Sequence, residues 1–339
     1  MDEKELLKQM AAFENEVKGI FPKFEFAYSS AFSVNDIYKE GNFEFTIRQS
    51  SLQETDYVSN LGNEFIHFTS LERFFNILNE GAIRLYDINH KNDPKEFEFL
   101  LNKHDVELDK DQIEHFKRSS HIFSMCKYNE EDGDNFDMWR NYGLDGDGIG
   151  IVFEILNNEW NYFLLGSIQY EDNLENESKI CALLKIAEKY RSIINPKKLP
   201  LIFGSLPLFH KSEIWRSEEE VRVACTYEYD PYFLEEDGRM FSIDSSMVKF
   251  YLKDGLIGSY VSLPLDINMR KYVARIGDTD EREKALNLYP RFRIKKIITG
   301  FRFSQTDSFD LQKVIWYHNR LNSDSIVVQA SKHTKHFKK

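Results

Sequence analysis

The sequence predicts a folded protein of the α+β class, in which helices and strands follow one another in mixed order. Hydrophobic residues make up 42% and aromatic residues 14% of the 339 residues, which is enough apolar side chain to bury a large core. From residue 64 onward, segments with the helical period alternate with segments that have the two-residue period of a strand. The sequence has no internal repeat and no low-complexity segment, which excludes a repeat or disordered architecture.

The chain divides into three predicted regions. Residues 1–60 are interpreted as an N-terminal extension, with a helical pattern over residues 4–19 and no motif. Residues 61–330 form the main domain. Residues 331–339 form a basic tail, which we expect to be loose because chain ends without apolar anchors are usually poorly ordered.

The main domain opens with a strand, a capped helix and a second strand. Residues 64–68 form a short apolar strand, and the T-x-x-E sequence from Thr69 to Glu72 is typical of a capping box that starts a helix. Gly81 fits the C-terminal stop of that helix, and residues 83–88 alternate as a strand. The predicted helix has one apolar face, formed by Leu71, Phe74, Phe75 and Leu78.

A second helix start follows at Asn92-Asp93-Pro94, where Asp93 fits a cap and Pro94 fits the first turn. Residues 121–126 are predicted as a strand, residues 127–134 as an acidic loop and residues 135–142 as a short helix that ends at Gly143. The later predicted elements are strands at 148–155 and 159–170, a helix at 174–195, a packed connector at 196–210, a strand at 218–228, a β-rich region at 247–264, a strand at 293–301, a helix at 308–321 and a strand at 324–329.

The charge pattern limits the class of partner. The formal net charge is −12, so the surface repels nucleic acid at long range, although a local pocket for a nucleotide or RNA stays open. The start of the chain has no signal-peptide pattern, and no apolar run approaches the roughly 20 residues of a membrane span. We therefore expect a cytoplasmic protein with no membrane partner.

The cysteines predict neither a disulfide framework nor a zinc site. They stand at positions 126, 181 and 225, which is an odd number at wide spacings. Cys126 and Cys225 lie in apolar runs, which predicts buried, inert thiols. The sequence also has no P-loop, no dinucleotide-binding glycine loop and no H-E-x-x-H or G-x-S-x-G motif, so no metal is expected.

The most informative segment runs from Trp215 to Val223. On a strand, alternation would place Glu218, Glu220 and Arg222 on one face, with Val221 on the other. The first interpretation is a solvated edge face with a stabilising Glu/Arg pair. The second is a carboxylate pair that lines a cleft, where one carboxylate orients a nucleophile and the other holds a sugar hydroxyl.

Two further segments carry candidate site residues, each with a purely structural alternative. His67 ends a strand directly before a helix start, where polar ligands bind, but it is equally a core histidine satisfied by a backbone carbonyl. Trp139 and Tyr142 lie three residues apart and share a helix face, which fits either core packing or the aromatic wall of a nucleotide pocket. Capping alone accounts for Thr69, and a turn accounts for Asn92.

The order of these motifs is more specific than any one of them. The string is Phe65-Ile-His67-Phe-Thr69-Ser70-Leu71, Asn92-Asp93-Pro94-x-Glu96, Phe123-Ser124, Met138-Trp139-x-x-Tyr142-Gly143, Gly150-x-Val152-Phe153 and Lys211-x-x-x-Trp215-x-x-Glu218-x-Glu220-x-Arg222. It resembles a bacterial domain-of-unknown-function family grouped with the ADP-ribosyltransferase superfamily, over about residues 64–300. This chain departs from the usual pattern at Val221, where relatives carry Trp, and at Phe68, where they carry Tyr.

The resemblance implies a split β-sandwich core with surrounding helices, which binds NAD as a substrate. It implies that His67 contacts the adenosine ribose, that Glu220 holds the nicotinamide ribose and that Glu218 is the upstream member of an E-x-E pair. Ser124 and Tyr142 are both candidates for the middle residue of the site. The full NAD-binding set expected from the resemblance is His67, Thr69, Asn92, Ser124, Trp139, Tyr142 and Arg222.

The implied function is an NAD-dependent ADP-ribosyltransferase, a bacterial toxin or phage-defence effector that modifies RNA or protein and has an antitoxin as a candidate partner. The alternatives are a non-catalytic nucleotide sensor and an NAD glycohydrolase. Three structural expectations follow. His67 and Glu220 line one concave pocket with Trp139 or Tyr142 on its wall; Trp215 and Val221 are buried; and Glu220→Gln leaves the thermal midpoint nearly unchanged.

Overall fold

The structure is a computed structural model of the full chain. It describes residues 3–24, 49–59, 61–90, 110–130, 134–158, 160, 163–171, 179–193, 206–226, 245–253, 255–273, 280, 286–322 and 325–337. The expected turn at Asn92-Asp93-Pro94 lies outside these residues.

The fold is α+β, as predicted, and is built around a large, mostly antiparallel sheet. Its strands lie in the order β12-β11-β4-β1-β3-β2-β10-β9, and β8 pairs with both β3 and β5. The strand bounds are β1 Glu64–Thr69, β2 Ala82–Asp87, β3 Ser120–Lys127, β4 Ile149–Ile155, β5 Leu164–Ser167, β6 Gln169–Glu171, β7 His210–Ser212, β8 Glu220–Thr226, β9 Val248–Lys253, β10 Leu256–Pro264, β11 Phe292–Thr299 and β12 Val327–Ala330.

The pairing of β3 divides the sheet. On one side β3 pairs with β8 over seven residue pairs, from Ser120 to Cys126. On the other side it pairs with β2 only at its start, through His121 and Ile122, and with β1 only at its end, through Cys126 and Lys127. Strands β1 and β2 therefore diverge alongside residues 123–125, which have no ladder partner on that side among the described residues.

The helices cover both faces of the sheet. Their bounds are α1 Glu3–Lys18, α2 Gln49–Leu52, α3 Leu71–Glu80, α4 Lys110–Ser119, α5 Phe136–Tyr142, α6 Lys179–Lys189, α7 Asp266–Val273, α8 Gln305–Asn322 and α9 Thr334–Phe337. The largest core contains Phe65, Phe123, Phe153 and Val223. A second core contains the apolar residues of α1 and α6, and a third surrounds Trp139. None of these described helices is long and apolar enough to cross a membrane.

Most of the predicted elements are confirmed, with small shifts at their ends. Gly81 stops α3 in the left-handed conformation, and Asn135 and Gly143 bound α5. One cap was assigned to the wrong residue. Ser70, not Thr69, is the N-cap of α3, because its hydroxyl accepts the amide of Arg73, while the strand continues through Thr69.

The two ends of the chain are more integrated than the sequence indicated. Phe13 and Val17 of α1 are buried in the same core as Leu183 of α6, so the described part of residues 1–60 completes a core. The tail is also not wholly loose. Ser331 is buried and a short helix, α9, follows it, because Ser331 finds a buried carboxylate partner in the domain.

Candidate functional site

The candidate site is built where the chain enters β8. Residues 213–218 form a 3-10 helix, Glu219 adopts the left-handed conformation with φ 43° and ψ 43°, and the strand begins at Glu220. Glu218 is therefore not on the strand, and the expectation that alternation aligns it with Glu220 is wrong. With Glu219 in a turn, the carboxylates of Glu218 and Glu220 instead contact the same ammonium group, that of Lys211.

Lys211 joins the two carboxylates. Its Nζ lies 2.8 Å from Glu218 Oε2 and 2.6 Å from Glu220 Oε2. Arg222 donates from Nε to Glu220 Oε1 at 2.6 Å and from Nη2 to Glu220 Oε2 at 3.1 Å, a two-point contact. Since all four residues are buried, this is a buried ionic cluster, and the interpretation of a solvated edge face is wrong.

The electrostatics hold Glu220 in its ionised form. Burial alone would raise the pKa of this carboxyl group, but the adjacent cations Arg222 and Lys211 outweigh it, so the pKa lies well below its usual range. Each cation also donates hydrogen bonds to the carboxylate, which is the condition for a buried charge to persist. The four side chains, Lys211, Glu218, Glu220 and Arg222, together carry no net charge.

Two half-exposed aromatic residues form the rim of the cluster. The Tyr142 hydroxyl, at the end of α5, donates to Glu218 Oε1, and burial together with this hydrogen bond raises the pKa of Tyr142 well above its usual value. The Lys211 Nζ lies 5.6 Å from the centroid of the Trp215 ring. Tyr142 is 38% and Trp215 is 36% exposed, so the expectation that Trp215 is largely buried is wrong, whereas Val221 is buried as predicted.

Two residues support the cluster from the side of the sheet. The Tyr170 hydroxyl accepts the amide of Glu220 at 2.8 Å, and β6 and β7 pair Tyr170 with Lys211. The Cys126 thiol donates to the carbonyl of Glu218 at 3.3 Å. Burial raises the pKa of Cys126 strongly, so this thiol is inert, as the sequence predicted for both Cys126 and Cys225.

His67 lies at the divergence of β1 and β2. Its Nδ1 donates to the carbonyl of Ser124 at 2.8 Å, since a carbonyl can only accept, and its ring lies 4.5 Å from that of Phe123. The expected hydrogen bond to a backbone carbonyl is present, but His67 is half-buried and so is not a core residue. Ser124 itself is half-buried on the central strand β3, opposite Arg222.

The register separates His67 from Glu220. Ile66 pairs with Cys126, and Cys126 pairs with Glu220, so these three side chains share one face of the sheet. Alternation then directs His67 to the opposite face, where it packs against Phe123. The expectation that His67 and Glu220 line one concave pocket is therefore wrong in that form, although their strands are separated only by β3.

The remaining expected site residues are distributed as follows. Trp139 is fully buried and meets Phe68 edge-on, with ring centroids 4.8 Å apart, so core packing is confirmed for it. Thr69 is 2% exposed, and its hydroxyl makes no hydrogen bond to any described residue. Arg222 lies behind Glu220 and donates a further hydrogen bond to the carbonyl of Leu208.

Two residues of this region were not identified from the sequence as site residues, Lys211 of the cluster and the neighbouring Tyr170. Lys211 belonged to the motif string, four residues before Trp215, and its place in that string was the signal that could have identified it. Tyr170 carried no local signal, because it reaches the site through the parallel pairing of β6 with β7. Within the described ranges, no group of three or more His, Cys, Asp or Glu side chains could hold a metal ion.

In comparisons with protein-family models, with curated proteins and with solved structures, nothing matches this chain.

Proposed function

We propose that this chain cleaves NAD and transfers ADP-ribose to RNA or protein at the Glu218/Glu220 cluster, within an ADP-ribosyltransferase-like core. One observation carries the proposal: both carboxylates of an E-x-E motif are bound to a single lysine ammonium, beneath two aromatic rings that are partly open to solvent. A purely structural cluster of two buried cations needs both carboxylates for neutrality, but it does not need the partly exposed tyrosine that donates to Glu218.

The chemistry fits this arrangement. Cleavage of the nicotinamide–ribose bond releases neutral nicotinamide and leaves positive charge on the ribose, which a fixed carboxylate stabilises. The acceptor then forms the new bond to the ribose carbon, and its proton passes to a carboxylate. We assign the proton acceptor to Glu218, which contacts the half-exposed Tyr142. Glu220 supplies fixed negative charge and holds Lys211 and Arg222 in position.

The strand order supports the proposal. The motifs with His67, Ser124 and Glu220 are on β1, β3 and β8, which are neighbours in one sheet. The divergence of β1 from β2 is compatible with a split sheet. In this proposal His67 is a positioning residue that ties β1 to β3, and Ser124 and Tyr142 both remain candidates for the middle residue.

The biological setting carries over from the resemblance. A toxin or phage-defence effector with NAD as its substrate fits a cytoplasmic protein, with RNA or protein as the acceptor and an antitoxin as its candidate inhibitor. The acidic surface favours a protein acceptor over extended RNA, because long-range attraction to phosphates is lacking.

One observation favours a second function, a nucleotide-binding module without turnover. The buried cluster is neutral as a whole, and Arg222 and Lys211 occupy both oxygens of Glu220. A carboxylate compensated in this way stabilises a developing positive charge less than an uncompensated one does. Binding of NAD without loss of nicotinamide would support this module over the transferase.

The experiment is incubation of the purified full chain with adenine-labelled NAD and bacterial lysate, followed by separate counts of label in protein, in nucleic acid and in free ADP-ribose. We expect label in a macromolecule for the unmodified chain and its loss for Glu218→Gln. Glu219→Gln is the matched control, since Glu219 is exposed and stands between the two site carboxylates. Release of free ADP-ribose alone would identify an NAD glycohydrolase, and equal activity of the two variants would contradict this site.

A further inference from the structure

The C-terminal segment that follows β12 is attached to the domain by the amide of Ser331, which donates to the carbonyl of Thr299 at 2.8 Å, and by a group of contacts to Asp134. Asp134 Oδ2 accepts the hydroxyl of Ser331 and the indole nitrogen of Trp139. Asp134 Oδ1 accepts the amide of Lys332 at 3.2 Å, and the carbonyl of Asp134 accepts Nε2 of His333 at 3.0 Å. Three consecutive residues of the tail thus converge on one residue.

The same carboxylate contacts α5 through the indole nitrogen of Trp139, the fourth residue of the helix. Asn135, the next residue, caps this helix by accepting the amides of Asp137 and Met138. Trp139 then packs its ring into the third core, and Phe136 stacks on Phe301 with centroids 5.2 Å apart. The ring of His333 meets Phe136 edge-on at 5.3 Å, so the tail touches the helix by packing as well as by hydrogen bonds.

The far end of α5 reaches the candidate site. The helix has seven residues, about two turns, and a helix this short is stable only through its tertiary contacts. Tyr142 is its last residue, and the Tyr142 hydroxyl donates to Glu218. The position of the Tyr142 phenol over the cluster therefore depends on the contacts that anchor the start of the helix. The polar ones include the cap by Asn135 and the hydrogen bond from the Trp139 indole to Asp134.

We infer that residues 331–333 act as a clamp on α5, with Asp134 and Ser331 as positioning residues for Tyr142 at the Glu218 site. The inference rests on the proposed function for its effect on turnover, but the clamp itself is a physical linkage with its own readout. Removing the clamp should release α5 from its position, while the ionic cluster, held by β7 and β8, stays assembled.

The test compares Asp134→Asn and Ser331→Ala with the control Asp137→Asn, which removes a carboxylate from the exposed side of the same helix. Amide hydrogen exchange is measured by mass spectrometry for peptides that cover α5, residues 331–337 and β8. We expect both clamp variants to accelerate exchange in α5 and in the tail by about tenfold, which equals roughly 1.4 kcal/mol, with exchange in β8 unchanged. Unchanged exchange in α5 for either clamp variant, or equal acceleration by Asp137→Asn, would overturn the clamp.

Turnover gives the second readout. In the clamp variants, kcat for NAD cleavage should fall by about tenfold or more with KM nearly constant, because a misplaced catalytic group slows the reaction more than it weakens binding. Ser331→Thr, which keeps a hydroxyl, should restore kcat relative to Ser331→Ala. Faster exchange with a wild-type kcat would overturn the link between the clamp and the site. If the unmodified chain does not cleave NAD, the proposed function fails, while the exchange data still decide whether the clamp exists.

Discussion

The phenol of Tyr142 donates a hydrogen bond to the carboxylate of Glu218, which lies 76 residues further along the chain. This contact joins the end of α5 to the ionic cluster at the start of β8. Because Tyr142 is half-exposed while Glu218 is buried, the tyrosine is the member of the pair that a ligand can reach directly. A ligand that contacts the Tyr142 phenol therefore comes within one hydrogen bond of the carboxylate of Glu218.

Tyr142→Phe should lower NAD cleavage by about one to two orders of magnitude, because it removes the group that orients Glu218 while keeping the ring. The thermal midpoint should change little, since the hydroxyl lies at a half-exposed edge. Steady-state kinetics and a thermal melt are sufficient for this test. Asp137→Asn, a change at an exposed position of the same helix, serves as the control for general disturbance of the helix. Full activity of Tyr142→Phe would show that Glu218 needs no orienting donor.

Glu220→Gln should destabilise the protein by roughly 3–5 kcal/mol, because it leaves Lys211 and Arg222 buried with too little negative charge. This replaces the expectation from the sequence that the thermal midpoint would hardly change. Glu219→Gln should stay within about 0.5 kcal/mol, as is usual for an exposed position. The free energies of unfolding of the two variants are compared by chemical denaturation. Equal denaturation midpoints would mean that Lys211 and Arg222 are compensated by water or by other side chains.

Val221→Ala and Trp215→Ala should separate packing from binding. Val221 is fully buried, so its truncation should cost roughly 2 kcal/mol of unfolding free energy. Trp215 is 36% exposed, and its truncation should cost less than about 1 kcal/mol while weakening binding of NAD, measured by calorimetry. A larger stability loss for Trp215→Ala than for Val221→Ala would reverse this assignment.

The signals that the sequence carries locally were sufficient for much of the fold. Gly81 and Gly143 end their helices where a left-handed or flexible residue is expected. The two-residue period identified β2 and β8, and a short apolar run identified β1. The same local reasoning missed Glu219, because a non-glycine residue rarely adopts positive φ. With that residue in a turn, Glu218 leaves the strand and the simple alternation of the E-x-E motif is lost.

The face of the sheet on which His67 lies could not be predicted from the sequence of β1 alone, for a different reason. The prediction of one pocket lined by His67 and Glu220 needs their strands to be close together, and β1 and β8 are separated only by β3. Which face each side chain takes depends on the register, and a shift of one residue moves every side chain to the other face. The pairing of Ile66 with Cys126 decides it, and no pattern within β1 alone encodes that pairing.

His121 should make the fold sensitive to acid. Burial lowers its pKa from the ordinary 6.5 to about 4, so in this range the unfolded chain binds a proton that the folded chain does not. The stabilisation is complete above about pH 6.5 and is lost as the pH falls from 6.5 to 4, by roughly 3 kcal/mol in total. Denaturation of wild type and His121→Gln between pH 7 and pH 4 should show a smaller slope for the variant. Parallel curves would mean that other groups dominate in this window.

The last prediction concerns Lys211, the residue that holds the two carboxylates together. Lys211→Met keeps the length of the side chain and removes its charge, so Glu218 and Glu220 lose their shared cation and only Arg222 compensates them. Lys211 helps to lower the pKa of Glu220, so its removal should raise that pKa, and in the proposed mechanism Glu220 acts in its ionised form. The acid limb of the pH profile of kcat should therefore move to higher pH in Lys211→Met.

Lys211→Arg retains the positive charge but changes the shape of the side chain. The acid limb of the pH profile should stay near its wild-type position in this variant, which would show that the charge at position 211 sets it. Lys179→Met, which removes a partly exposed lysine paired with Asp56, controls for the change in net charge of the protein. Circular dichroism at each pH establishes that the variants are folded where they are assayed. An acid limb that stays in place in Lys211→Met would mean that the carboxylate pair is not the group whose ionisation limits the reaction, and the assignment of catalysis to this cluster would fail with it.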